Sequence, residues 1–158
     1  MFARRLLLST LLVTGLAAPL LAGPPWISIE LPPSPFDAAS RNAVLLVHAF
    51  HYRQNANEGV AGRAVGMVNG VRRTMTLQLD RTSRPGVFAL RNTWGTAGDW
   101  TLILSATQEH GHAAEVMVKM TGARVVAVEA ATEPSQHAEL PIMPRRFTDA
   151  EIEASLRR

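Results

Sequence analysis

The histidines are the side chains of this sequence with the clearest chemical potential. His110 and His112 flank Gly111 between two strand-like runs. Glycine permits backbone angles that other residues avoid, so both imidazoles can turn toward one ion, and imidazole is a common ligand of Cu(II) and Zn(II). The spacing therefore predicts a weak copper or zinc site at His110 and His112, with an exposed polar hairpin tip as the alternative.

The other possible metal ligands do not reinforce that site. His48 and His51 lie three apart on one predicted strand, where successive side chains point to opposite faces, so they do not chelate one ion together. Four methionines offer thioethers for Cu(I), but their strand positions favour core packing: Met67, Met75, Met117 and Met120. The absence of cysteine excludes disulfides, thiolate nucleophiles and cysteine metal sites.

No catalytic motif is present. The sequence contains no G-x-S-x-G, H-E-x-x-H or phosphate-loop pattern and no suitably placed pair of carboxylates. Removing residues 1–22 takes away two arginines and no acids, which lowers the formal net charge from +3 to +1. Because the remaining arginines are scattered, no nucleic-acid partner is expected. We expect a non-catalytic protein with an envelope protein or a small ligand as its partner.

Two of the tryptophans, Trp94 and Trp100, differ in their predicted environment. Trp100 opens a run in which Leu102, Leu104 and Ala106 share its face, which predicts a buried anchor of the core. Trp94 stands at the end of a predicted strand beside a glycine, which predicts partial exposure and contact with a ligand or partner, with a core anchor as the alternative.

A hairpin is predicted where Asn69 and Gly70 separate two strand-like runs. Asn-Gly tolerates positive φ at both centres of a two-residue turn, which is the geometry that antiparallel strands prefer. Arg72 and Arg73 follow the turn directly, and Arg81 and Arg84 adjoin the next predicted turn. They predict a solvated surface, with a binding site for an acidic partner as the alternative.

The elements that must position these residues are short strands separated by turn-forming residues. We predict eight: Trp26 to Leu31, Ala43 to Tyr52, Ala61 to Val68, Val71 to Leu79, Val87 to Trp94, Trp100 to Gln108, Ala113 to Thr121 and Arg124 to Glu129. No helical periodicity intervenes, so parallel βαβ units are not expected. The pattern predicts an all-β protein, an immunoglobulin-like antiparallel sandwich of seven to eight strands that occupies residues 23–130.

Three short motifs of the sequence, taken together, resemble those of a known family. They are the Gly-rich first hairpin VAGRAVGMVNG, the step from Pro85 to Phe88, and the step Gly98-Asp99-Trp100 before an alternating strand. Their order over residues 26–121 is similar to that of YtkA-like domains. The resemblance implies an exported immunoglobulin-like accessory or binding domain of the bacterial cell envelope, sometimes beside metal-handling proteins, with no established catalytic set.

Residues 1–22 read as a signal peptide. Arg4 and Arg5 precede an apolar run from Leu6 to Ala22, the order of a basic n-region and a hydrophobic h-region. We therefore expect a periplasmic or extracellular protein. An uncleaved membrane anchor is the alternative, because the run is at the lower limit for spanning a bilayer.

Residues 131–158 differ in composition from the predicted sandwich. Thr, Glu, Ser and Gln accompany Pro134, Pro141 and Pro144, which favours an extended linker over another strand. The linker is expected to lead into a short helix at the C-terminus.

The helix start is complete in sequence. Thr148 is the predicted N-cap, Glu151 completes a capping box, and Phe147 is placed to staple onto Ile152. Leu156 extends the apolar stripe by one turn. A helix of about ten residues is marginal alone in water, so the stripe Phe147, Ile152 and Leu156 is expected to dock either on this domain or on a partner protein.

Overall fold

The computed structural model describes residues 23–51, 54–56, 59–108, 111–137 and 140–157, and almost all of its regular structure is antiparallel strand. The predicted signal peptide and His110 lie outside these ranges. The strands are β1 Pro25–Glu30, β2 Leu45–His51, β3 Gln54–Asn55, β4 Val60–Val68, β5 Val71–Leu77, β6 Leu79–Arg81, β7 Val87–Leu90, β8 Asp99–Thr107, β9 Ala113–Thr121, β10 Arg124–Ala130, β11 Thr132–His137 and β12 Leu140–Pro144. A 3-10 turn spans Ala38–Ser40, and one helix, α1, spans Asp149–Ser155.

Two sheets pack face to face. The first has the order β1-β2-β7-β6 with β3 paired to β2, and the second has the order β10-β9-β8-β4-β5. Buried side chains of both sheets form one core, from Leu45 and Leu90 on the first to Leu102 and Val118 on the second. The predicted immunoglobulin-like antiparallel sandwich is therefore confirmed.

The predicted strand Val71 to Leu79 is in fact two strands that lie in different sheets. Its first part, β5, pairs with β4, and its last part, β6, pairs with β7. Leu77 is buried in the core from one sheet, and Leu79 packs against the same core from the other. Apolar contacts therefore hold the chain on both sides of the point where it passes from one sheet to the other. Each of the two short strands forms the edge of its sheet.

Small residues on β4 accommodate large residues on β8. The cross-strand pairs are Gly62 with Leu104, Ala64 with Leu102 and Gly66 with Trp100. A Cβ on Gly66 would lie 2.4 Å from a ring carbon of Trp100, so the indole packs directly on the glycine backbone. Trp100 is 4% exposed, which confirms its predicted place in the core.

The C-terminal segment folds differently from its prediction. The prediction of an extended linker was wrong, because β11 and β12 form a separate two-stranded sheet. Proline is tolerated in such a ribbon, since each strand has an unpaired side where no N–H is needed. A ring of three backbone hydrogen bonds attaches the ribbon to β9. The Ala131 N–H donates to the Glu115 carbonyl (2.9 Å), the Glu115 N–H to the Arg145 carbonyl (3.2 Å) and the Arg145 N–H to the Ala131 carbonyl (3.0 Å).

The predicted helix is present, with seven residues rather than about ten. Thr148 is the N-cap, and both hydrogen bonds of the capping box with Glu151 are formed. Among the described residues, no helix has the length and apolar character needed to cross a membrane.

Candidate binding site at the free edge of the second sheet

A surface depression of about 720 Å³ lies between β5 and the loop that joins β7 to β8. The β5 side of the depression ends at the free edge of the second sheet, because β5 pairs with β4 alone in the part of the chain that the structure describes. The lining residues are Val68, Val71, Arg73, Thr74, Met75, Thr93, Trp94, Gly95, Thr96, Ala97 and Trp100.

Local hydrogen bonds shape the loop on the far side of the depression. The Asn92 side chain accepts from the Gly95 N–H (2.9 Å) and donates to the Gly95 carbonyl (3.2 Å), which closes a tight turn. Gly95 has φ of 89° and Gly98 has φ of 80°, angles that side-chain-bearing residues rarely adopt. At Gly98 a Cβ would lie 2.4 Å from the Met67 carbonyl oxygen, so the loop lies directly against the hairpin of β4 and β5.

Two indoles contribute to the lining. Trp94 is only 6% exposed, so the prediction that it is partly exposed was wrong. Its burial follows from core packing and from an N–H that donates to the Gly122 carbonyl at 3.5 Å. The Trp100 N–H donates to the Ala97 carbonyl at 2.9 Å. Because both donors are used inside the domain, these rings offer the depression apolar surface rather than hydrogen bonds.

The rim of the depression is more exposed than its floor. Val71 is 58% exposed, although it is apolar and lies directly after the Asn69-Gly70 turn. That turn has φ of 52° and 77° at its two central residues, which confirms the predicted two-residue hairpin. A rigid turn thus presents an apolar side chain to solvent beside the depression.

The charge of the lining comes from one residue. Arg73 is the only ionisable side chain of the depression, and it has no ion-pair partner among the described residues. Its neighbour Arg72 pairs with Glu153 of α1 at 2.6 Å. The lining therefore carries a formal charge of one positive unit and no carboxylate.

The apolar stripe of the tail is used within the domain. Ile152 is 3% exposed and packs with Val65, Ile103 and Met117 on the outer face of the second sheet, and Phe147 and Leu156 pack at the margin of the same cluster. The sequence allowed this stripe to dock either on this domain or on a partner protein, and in the structure it docks on this domain. The stripe Phe147, Ile152 and Leu156 is consequently covered here.

Polar contacts fix the orientation of the helix on that face. The hydroxyl oxygens of Thr101 and Ser155 are 2.9 Å apart. The Phe147 N–H donates to the Glu115 carboxylate at 2.9 Å, and that carboxylate is buried. Two hydrogen bonds from the Arg145 guanidinium, at 2.6 and 2.9 Å, together with bonds from the N-cap Thr148, lower the pKa of Glu151 from 4.5 to about 2.

The predicted metal site is only partly within the described residues. His112 is exposed, and its backbone carbonyl accepts a hydrogen bond from the Gln108 N–H. The Gly111 N–H donates to the Gln108 carbonyl. His110 lies outside the described residues. In the described ranges no three His, Asp or Glu side chains are close enough to hold a metal ion. Of the candidate thioethers, Met117 and Met120 are buried in the core and Met67 and Met75 are half-buried. The copper or zinc site stays a prediction.

A charged cluster that the sequence did not predict lies on the first sheet. His48 Nε2 is 2.8 Å and the Arg84 guanidinium 3.3 Å from one Glu30 oxygen, and Arg84 also pairs with Asp37 at 3.2 Å. Burial raises the pKa of Glu30, but the bonds from His48 and Arg84 outweigh it and leave the pKa lowered. The cluster ties the segment after β1 to the sheet, and its side chains are used in contacts with one another, so we assign it a structural role.

Comparison of the chain with protein-family models, with curated proteins and with solved structures gave no match. The resemblance to YtkA-like domains thus stays a prediction from three short motifs.

Proposed function

We propose that this chain is a non-catalytic binding module and that the depression beside β5 is its ligand site. One observation carries the proposal: the domain leaves this apolar depression unfilled at a free sheet edge. Binding sites of globular proteins are typically concave, mainly apolar and equipped with a few polar groups. The lining fits that description, with two indoles and Met75 below and Arg73 at the rim.

The proposed location of the protein is the bacterial cell envelope. This part of the proposal rests on sequence alone: the basic start and apolar run of residues 1–22, and the motifs shared with YtkA-like exported domains. The ligand is then an envelope protein or a small molecule of that compartment.

Two other functions have less support. Partner binding through the tail helix would require Ile152 to leave a site in which it is 3% exposed. A copper or zinc carrier would need ligands beyond His110 and His112, because two imidazoles leave most of the coordination sphere to water. Isothermal titration of the tag-free protein beside a His110→Ala/His112→Ala double variant tests the metal function; equal heats from both proteins would remove it.

Two matched valines allow the binding function to be tested. Val71 at the depression is 58% exposed, and Val126 on the opposite edge of the same sheet is 51% exposed. Glutamate at either position adds the same charge to a solvent-accessible strand residue, so both variants should fold. Only Val71→Glu places that charge at the depression.

Selection from a random peptide display library is the measurement. The three targets are the unaltered protein, Val71→Glu and Val126→Glu, each without residues 1–22. We expect peptides enriched on the unaltered protein to be retained by Val126→Glu and lost by Val71→Glu. No enrichment, or equal retention by both variants, would refute the depression as the ligand site.

A further inference from the structure

The outer edge of β5 has backbone hydrogen-bonding groups that are available to an additional strand. A two-residue turn places Val68 and Val71 in a hydrogen-bonded pair, and in an antiparallel ladder such pairs recur at every second residue. The N–H and C=O groups of Arg72, Thr74 and Thr76 therefore point away from β4. No backbone hydrogen bond of the described chain reaches these groups.

The other edges of the sandwich are less suitable, and β1, which pairs without a shift over six residues, contributes no residue to the depression. At the far end of the same sheet, β10 has a register shift between Val125 and Ala127, which interrupts the row of backbone groups. In the first sheet, the edge strand β6 has three residues. By contrast, β5 pairs without a shift over seven residues and has an apolar depression beside it.

Charge favours one class of strand over others. Arg72 and Arg73 are adjacent on β5, so their side chains lie on opposite faces of the sheet. Edge-to-edge pairing of two copies would bring these arginines near those of the second copy, and like charges across paired strands are destabilising. On the outer face Arg72 is already paired with Glu153 of α1, but on the face of the depression Arg73 has no ion-pair partner among the described residues, so an acidic segment meets the Arg73 guanidinium.

From these observations we propose that β5 binds an extended acidic segment of a partner protein by strand addition. The inference rests on the proposed binding function and names the chemistry of its ligand. The segment pairs with the backbone of Arg72, Thr74 and Thr76. Its alternate side chains enter the depression over Met75 and beside Val71, and one of its carboxylates pairs with Arg73.

Three blocked synthetic peptides separate the parts of this proposal. In the first, valine and glutamate alternate; in the second, lysine replaces each glutamate; in the third, the first peptide carries an N-methyl group on every backbone amide, so that neither edge of the strand retains N–H donors. Removal of the N–H groups prevents strand pairing without changing charge. Affinities are measured by titration against the protein without residues 1–22 at low ionic strength.

We expect the acidic peptide to bind and the N-methylated form to fail. The lysine peptide should bind at least about tenfold more weakly, which corresponds to about 1.4 kcal/mol. Because Arg73 is exposed, binding of the acidic peptide should weaken as salt is added. In Arg73→Glu the preference between the acidic and lysine peptides should reverse.

Each contrary result contradicts a defined step. No binding of the acidic peptide, or equal binding of its N-methylated form, would refute strand addition. Equal binding of the acidic and lysine peptides would refute the charge preference. The proposed binding function fails separately, when the display selection gives no peptides or the selected peptides ignore Val71→Glu.

Discussion

The outer face of the second sheet and its free edge at β5 are two surfaces of one sheet, and only the outer face is covered by α1. On the outer face, Val65, Ile103 and Met117 are covered by Ile152 of the chain's own helix. At the edge, Val71 is 58% exposed and the adjoining depression is left unfilled. Within the described residues, the C-terminal helix covers one apolar surface and no segment covers the other.

The difference shows how to distinguish an apolar stripe from a binding surface. The stripe of Phe147, Ile152 and Leu156 is conspicuous in sequence, yet it stabilises the domain that carries it. The depression combines residues of β5 with residues of a loop that is distant in sequence, and it has a free backbone edge beside it. Loss of Trp100 should disturb the sheet that carries both surfaces, whereas changes at Ile152 and Glu151 should disturb only the covered one.

Trp100→Ala should have the largest effect. The indole is 4% exposed, packs on Gly66 and lines the depression, so its removal leaves a large cavity. We expect a loss of about 3 to 5 kcal/mol in the free energy of unfolding. Urea unfolding is the measurement, and a loss below about 1 kcal/mol would place the ring outside the core.

Ile152→Ala should weaken the covered face without altering the edge. Truncating a buried isoleucine costs about 2 to 4 kcal/mol in the free energy of unfolding. The control is Val128→Ala, at a residue that is 45% exposed, with an expected change within about 0.5 kcal/mol. Equal urea midpoints for the two variants would mean that α1 does not stabilise this sheet in solution.

Acidification should weaken the start of the helix. The pKa of Glu151 is lowered from 4.5 to about 2, so ionised Glu151 stabilises the folded state above about pH 4.5, and this contribution is lost as the pH falls toward 2. Its hydrogen bonds with Arg145 and Thr148 lie near the surface, so salt should reduce the effect.

Glu151→Gln isolates this contribution. The variant should lose part of the acid dependence that the unaltered protein shows between pH 4.5 and 2 in unfolding experiments. Identical pH profiles for both proteins would contradict the role of the capping-box carboxylate.

Local patterns in the sequence predicted most of the fold. Alternation along β8 located Trp100 in the core, Asn69-Gly70 located the hairpin, and Thr148 with Glu151 located the start of the helix. The pattern did not reveal the sheet change at Gln78, because alternation of apolar residues continues across it. It missed β11 and β12 because proline was weighed as a strand breaker, whereas a two-stranded ribbon tolerates it.

The candidate site was less accessible to sequence reasoning. Trp94 was correctly noted, but as an exposed contact residue rather than a buried part of the lining. The depression requires the loop of Asn92 and Gly95 to approach β5, and that approach depends on the packing of two sheets. Arg72 and Arg73, with an acidic partner among their predicted roles, were the only signal in the sequence that pointed to this edge.

Amide hydrogen exchange with and without the valine-glutamate peptide tests the central claim most directly. Without peptide, the amides of Arg72, Thr74 and Thr76 should exchange rapidly, because their N–H groups point away from β4. With peptide, these three amides should be protected, while exchange in β8 and α1 stays unchanged. Protection confined to the helix-covered face, or none along β5, would contradict the account.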